Sequence, residues 1–63
     1  MTTPKLLLLQ ARRQTDPARH EERVSFARRF RLSLEAITPH DLLTGPPSLE
    51  KVKRYDAVLI GGA

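Results

Sequence analysis

Lys5-Leu6-Leu7-Leu8-Leu9-Gln10 is the stretch on which the fold turns. Its four leucines run without the polar alternation that marks a strand with one wet face, so both faces are expected to be buried. Periodicity alone allows a central parallel strand or a buried helix for so short a run. The residues that follow favour the strand. Arg12 to Thr15 are polar, and Asp16-Pro17 reads as a helix start. An aspartate there can cap the free backbone N–H groups, and a proline at the first helical position gives up no hydrogen bond. A strand ending at Gln10 and a helix beginning at Pro17 make the first half of a β-α-β unit.

Working outward, the helix is expected from Pro17 to about Phe30. Val24, Ala27 and Phe30 recur at three-residue steps, with Phe26 four before Phe30, which makes one apolar stripe. Glu21 and Glu22 lie toward its start and Arg28 and Arg29 at its end, an order that complements the helix dipole. A second, weaker strand is expected over Leu32 to Thr38, ended by Pro39 and suited to a sheet edge. Leu42-Leu43 reads as a buried anchor and Thr44-Gly45-Pro46-Pro47 as a turn. Ser48 caps a short helix from Leu49 to about Arg54, with Leu49 and Val52 inward. Ala57 to Ile60 is the third strand, followed by Gly61-Gly62-Ala63.

The order β-α-β-α-β implies a parallel sheet with right-handed crossovers. The first strand is the most apolar and belongs in the centre, so the expected strand order is 2-1-3, the flavodoxin-like start of an incomplete α/β sheet. Residues 1–63 read as part of one domain. A chain of this length buries only about 60% of the surface it exposes when unfolded, and its stability is expected to be marginal.

Ligands of open parallel sheets bind beyond the carboxyl ends of the strands. The loops expected there are Ala11 to Thr15, Thr38 to Asp41, and Gly61 to Ala63. The first has no glycine, which argues against a dinucleotide phosphate site. Gly61-Gly62 stands directly after a buried strand, where two glycines permit a sharp turn with outward N–H groups that could stabilise an oxyanion. An ordinary strand-end turn accounts for the same pair. His40 and Asp41 are sequence neighbours beside a proline and read as a turn rather than as a base with its orienting acid; Asp41 is expected to cap Leu42-Leu43. His20 is expected to be solvated.

Composition removes several function classes. With no cysteine and two histidines twenty positions apart, no metal site and no disulfide is expected. No cofactor is implied. The longest apolar run, Leu6 to Leu9, is far short of the ~20 residues that span a bilayer, and nothing resembles a signal peptide, so a cytoplasmic location without membrane contact is expected. The formal net charge of +4 leaves a basic nucleic-acid binder open, yet aromatic side chains for base stacking are few and the two phenylalanines read as core.

Lys5-Leu6-Leu7-Leu8-Leu9-Gln10-Ala11-Arg12, Asp16-Pro17, His20-Glu21, His40-Asp41-Leu42-Leu43 and Tyr55-Asp56-Ala57-Val58-Leu59-Ile60-Gly61-Gly62-Ala63 together resemble the start of a class I glutamine amidotransferase-like protein. The resemblance covers nearly the whole chain, and its most specific part is the third strand with its Gly-Gly. It implies glutamine as substrate, hydrolysed to glutamate and ammonia by a Cys-His-Glu triad, with ammonia passed to a synthetase domain or partner. It also implies that the backbone of Gly61 and Gly62 forms the oxyanion hole, a role worth about 3–4 kcal/mol per donor in such sites. The chain departs from the family in having no cysteine, and His40 and Asp41 do not match the catalytic histidine and glutamate. The implied reading is an N-terminal fragment, inactive by itself. The alternatives are a small interaction module that self-associates through an open strand edge, or a nucleic-acid binder built on the arginine-rich helix.

Overall fold

In the computed structural model, which describes residues 3–61, the Leu6–Gln10 strand (β1) is the centre of a three-stranded parallel sheet. Ile37–Asp41 (β2) and Ala57–Ile60 (β3) flank it, giving the order β2-β1-β3 expected from the sequence. The register places Leu6 opposite Ile37 and Ala57, and Leu8 opposite Pro39 and Leu59. Leu7 and Leu8 have no exposed surface, as a doubly covered central strand requires.

Helix α1 spans Pro17–Phe30, the bounds expected from its caps. Asp16 Oδ1 accepts from the Ala18 N–H at 2.9 Å, and Arg31 closes the helix in the left-handed conformation (φ 57°, ψ 44°). Side chains alternate along a strand, so Leu6, Leu8 and Gln10 share one face of β1. Ala27 of α1 packs there with Leu6, Leu8 and Ile37, and Phe26, Leu32, Leu34 and Leu59 surround them. Of the expected stripe only Ala27 is buried; Phe30 is exposed and stacks on Phe26 with ring centroids 6.3 Å apart. Arg23 fastens the helix further, donating from Nε to the Ile37 carbonyl at 2.8 Å and from Nη2 to the Leu34 carbonyl at 2.6 Å.

The second strand lies later than the sequence reading placed it. Leu34–Ala36 form a 3₁₀ turn, and β2 starts at Ile37 and runs through Pro39 rather than stopping before it. Two forces produce the shift. Arg23 holds the carbonyls of Leu34 and Ile37 and draws this segment into a turn, and an edge strand tolerates a residue that lacks an N–H. Leu42–Thr44 make a second 3₁₀ turn in which Leu43 is exposed, so Leu42-Leu43 is not a buried anchor. The short helix α2 is limited to Leu49–Val52, and Leu49 faces solvent instead of the interior. Ser48 caps it as expected, its Oγ accepting from the Lys51 N–H at 3.1 Å.

With β2 and β3 on opposite sides of β1, right-handed crossovers must place α1 and α2 on opposite faces of the sheet. The contacts agree: α1 covers the Leu6/Leu8 face, while Lys51 of α2 reaches His40, which alternation puts on the other face. That second face is thinly covered at β3, where Val58 and Ile60 are exposed, Ile60 to 77%.

Candidate functional site

The carboxyl ends of β1 and β3 meet the first turns of α1, and polar groups converge there. Gln10, the last residue of β1, occupies the same inward face as Leu6 and Leu8 and is fully buried. A buried amide must find partners. Its Nε2 donates to the Arg19 carbonyl at 2.8 Å and to Glu22 Oε1 at 2.9 Å. Both partners are acceptors, which determines which end of the amide is the nitrogen. Its Oε1 has no hydrogen-bond partner among the described residues. Arg12 completes the group, donating from Nε to Glu22 Oε2 at 3.3 Å and from Nη1 to Asp16 Oδ2 at 3.4 Å. The Glu22 side chain keeps 14% of its exposure and that of Arg12 21%, so this pair is screened by solvent far less than a surface pair.

Gly61 closes the site on the β3 side. Its N–H donates to the Leu9 carbonyl at 2.9 Å, which extends the β1–β3 ladder by one bond. The Gly61 N–H therefore points into the sheet in this conformation and not outward, as the reading of the Gly-Gly turn had it. Gly62, the other oxyanion-hole candidate, lies outside the described residues. Beside Gly61, between α1 and β3, opens a pocket of about 370 Å³ lined by Arg12, Glu22, Phe26, Arg29 and Ile60 among others. A second, of about 270 Å³, lies by Gln10, Asp16 and Pro39.

The other sequence candidates do not join this group. Thr38 to Asp41 belong to β2 itself, and the connecting turn begins at Leu42. His40 Nε2 lies 2.9 Å from the Gly45 carbonyl and its Nδ1 2.9 Å from Lys51 Nζ. A carbonyl accepts and an ammonium donates, so these two contacts suit a ring that donates from Nε2 and accepts at Nδ1. Asp41 turns away to cap Leu43, its Oδ1 accepting the N–H at 2.8 Å, so the two neighbours form no acid–base pair. His20 is exposed, and no cluster of metal-ligating side chains occurs among the described residues.

Sequence reasoning passed over Gln10, Arg12 and Glu22 as functional residues. A signal for the first was present: in the inward set Leu6, Leu8, Gln10 the last member is polar, and a polar residue at a buried position demands partners. No residue spacing marks Glu22 as that partner, because the two meet only when α1 folds back on β1.

The fold and the site define an open parallel α/β unit of strand order 2-1-3 with a polar cluster at its carboxyl edge. No family model matches the chain, and no curated protein or solved structure matches it significantly. No helix among the described residues is long and apolar enough to cross a membrane.

Proposed function

We propose that this chain is the N-terminal part of a class I glutamine amidotransferase-like domain and is catalytically silent by itself. The observation that carries the reading is the position of Gly61 at the carboxyl end of β3, beside the carboxyl end of the central strand. That is where an open parallel sheet binds its ligands. In this reading glutamine is the substrate of the whole domain, and the loop after β3 steadies the oxyanion of the tetrahedral intermediate. Since the Gly61 N–H is engaged by Leu9, the donor role falls to the amide of Gly62. The chain holds no cysteine, so the nucleophile, with its histidine and glutamate, must be supplied by residues that follow, and ammonia would pass to a synthetase domain or partner.

The test is the intact mass of the native gene product together with the coding sequence past residue 63. A longer product with a cysteine on a strand-to-helix elbow, and glutaminase activity lost when that cysteine becomes alanine, supports the reading. A product that ends at Ala63 sinks it. A second reading, an interaction module that pairs through an open strand edge, draws on the exposed Val58 and Ile60 of β3. It expects a stable oligomer of the short product, which the same mass measurement under native conditions would reveal.

A further inference from the structure

Gly61 needs no special backbone conformation: among the described residues the one glycine with a positive φ is Gly45. A side chain at this position would have to displace the Glu22 carboxylate. A Cβ built on Gly61 would overlap Oε1 of Glu22 and lie 2.5 Å from its Cδ. The chain leaving β3 therefore passes directly against a carboxylate carried by α1. That carboxylate has little freedom. Gln10 Nε2 holds one oxygen at 2.9 Å, and Gln10 cannot swing because its other N–H is held by the Arg19 carbonyl. Arg12 Nε holds the second oxygen at 3.3 Å, while its Nη1 is held by the helix cap Asp16.

We propose that Glu22 is a positioning residue: clamped between Gln10 and Arg12, its carboxylate sets where Gly61, the residue that leaves β3, sits. The inference rests on reading the loop after β3 as the oxyanion loop. An ion pair that merely joined a helix to a strand would have no reason to meet the glycine backbone. This one joins the end of β1, through Gln10 and Arg12, to the second turn of α1 at Glu22, and its carboxylate lies against the end of β3 at Gly61. Backbone donors stabilise a developing charge only when pre-placed, and a misplacement of about 1 Å can cost a reaction roughly 100-fold. Because Gly61 adds no side chain of its own to fix its place, the carboxylate takes over that task from across the sheet edge.

The experiment uses the native gene product with Glu22→Ala, Glu22→Gln and, as a control on the exposed neighbour, Glu21→Ala. Two readouts are taken: the position of the Gly61 amide resonance, and the kcat and KM of glutamine hydrolysis. Glu22→Ala is expected to move the Gly61 resonance and to lower kcat about 10- to 100-fold with KM within about threefold. Glu22→Gln, which fills the same space and retains one acceptor, should fall between Glu22→Ala and the unaltered protein. Glu21→Ala should change neither. An unmoved Gly61 resonance in Glu22→Ala, or in Glu22→Gln should the alanine variant not fold, overturns the proposal. So does a kcat loss equal to that of the control. If the unaltered protein hydrolyses no glutamine, the amidotransferase reading fails, and the Gly61 resonance still decides whether Glu22 holds Gly61.

Discussion

Lys5 and Asp56 hold one another by two reciprocal hydrogen bonds: the Lys5 N–H donates to Asp56 Oδ2 at 2.7 Å, and the Asp56 N–H donates to the Lys5 carbonyl at 2.7 Å. The pair sits one residue before β1 and one before β3, so it starts the ladder that continues through Leu6–Ala57 to Leu9–Ile60. At the far end of the same ladder the Gly61 N–H reaches the Leu9 carbonyl. The β1–β3 pairing is thus fastened at both ends, and at the lower end a charged acceptor replaces what would otherwise be a frayed strand start.

Asp56→Ala removes that acceptor and leaves the backbone bond from residue 56 alone. Hydrogen bonds to charged groups contribute about 1.5–3 kcal/mol, and because this one is exposed the lower end applies. The amides of Leu59 and Gly61 are expected to exchange roughly tenfold faster with solvent, while those of α1 change little. Equal acceleration throughout the chain would show that the pair stabilises the whole fold rather than β3.

Arg31 offers a change in the opposite direction. Its φ of 57° puts a residue with a Cβ in the left-handed region, where glycine carries no penalty. The backbone contact made there, from the Arg31 N–H to the Ala27 and Arg28 carbonyls, involves no side chain and survives substitution. Arg31→Gly is expected to stabilise the fold by about 0.5–1 kcal/mol. In a marginal chain that appears as a visible rise in helical ellipticity near 5 °C. A fall in ellipticity would mean that the Arg31 side chain matters more than its backbone.

The core is small enough to limit cooperativity. Its buried apolar members among the described residues are Leu6, Leu7, Leu8, Ala27, Ala36 and Ile37, and several expected members, Phe30, Leu43 and Leu49, face solvent. The isolated 63-residue chain is therefore expected to melt over a broad range at low concentration. Near-ultraviolet dichroism is of no help with so few aromatics, so the melt is best followed at 222 nm. A sharp, concentration-independent transition would contradict this expectation.

Local signals account for what was legible in the sequence. Asp16-Pro17 caps α1 by contacts within three residues, and the unbroken leucines of β1 mark a strand covered on both sides, so both elements and the strand order follow. β2 is illegible for the opposite reason. Its bounds depend on Arg23, fourteen residues before Ile37, and on the edge position that excuses Pro39. Leu43 and Leu49 mislead because apolar residues flanking a turn are expected to anchor it, whereas these turns are anchored by Asp41 and Ser48. At the candidate site Gly61 stands out as a glycine after a buried strand. Its neighbour Glu22 does not, because a glutamate in the second turn of a helix is ordinarily solvated.

The exposed edge permits the last prediction. In β3, Val58 and Ile60 alternate onto the face opposite α1, Ile60 keeps 77% of its surface, and the outer side of the strand has no partner strand among the described residues. An apolar, unpaired edge is a template for another chain, and a lysine pointing from it is a common natural deterrent. Val58→Lys combined with Ile60→Lys should leave the helical signal of the dilute chain nearly unchanged, since neither side chain belongs to the core cluster. The same pair of changes should abolish self-association that sedimentation detects in the unaltered chain at high concentration. If the unaltered chain stays monomeric at millimolar concentration, the edge is not adhesive by itself and the interaction-module reading falls. If it associates and the lysines do not prevent this, association proceeds through another surface, the first to examine being the exposed Leu43 and Leu49.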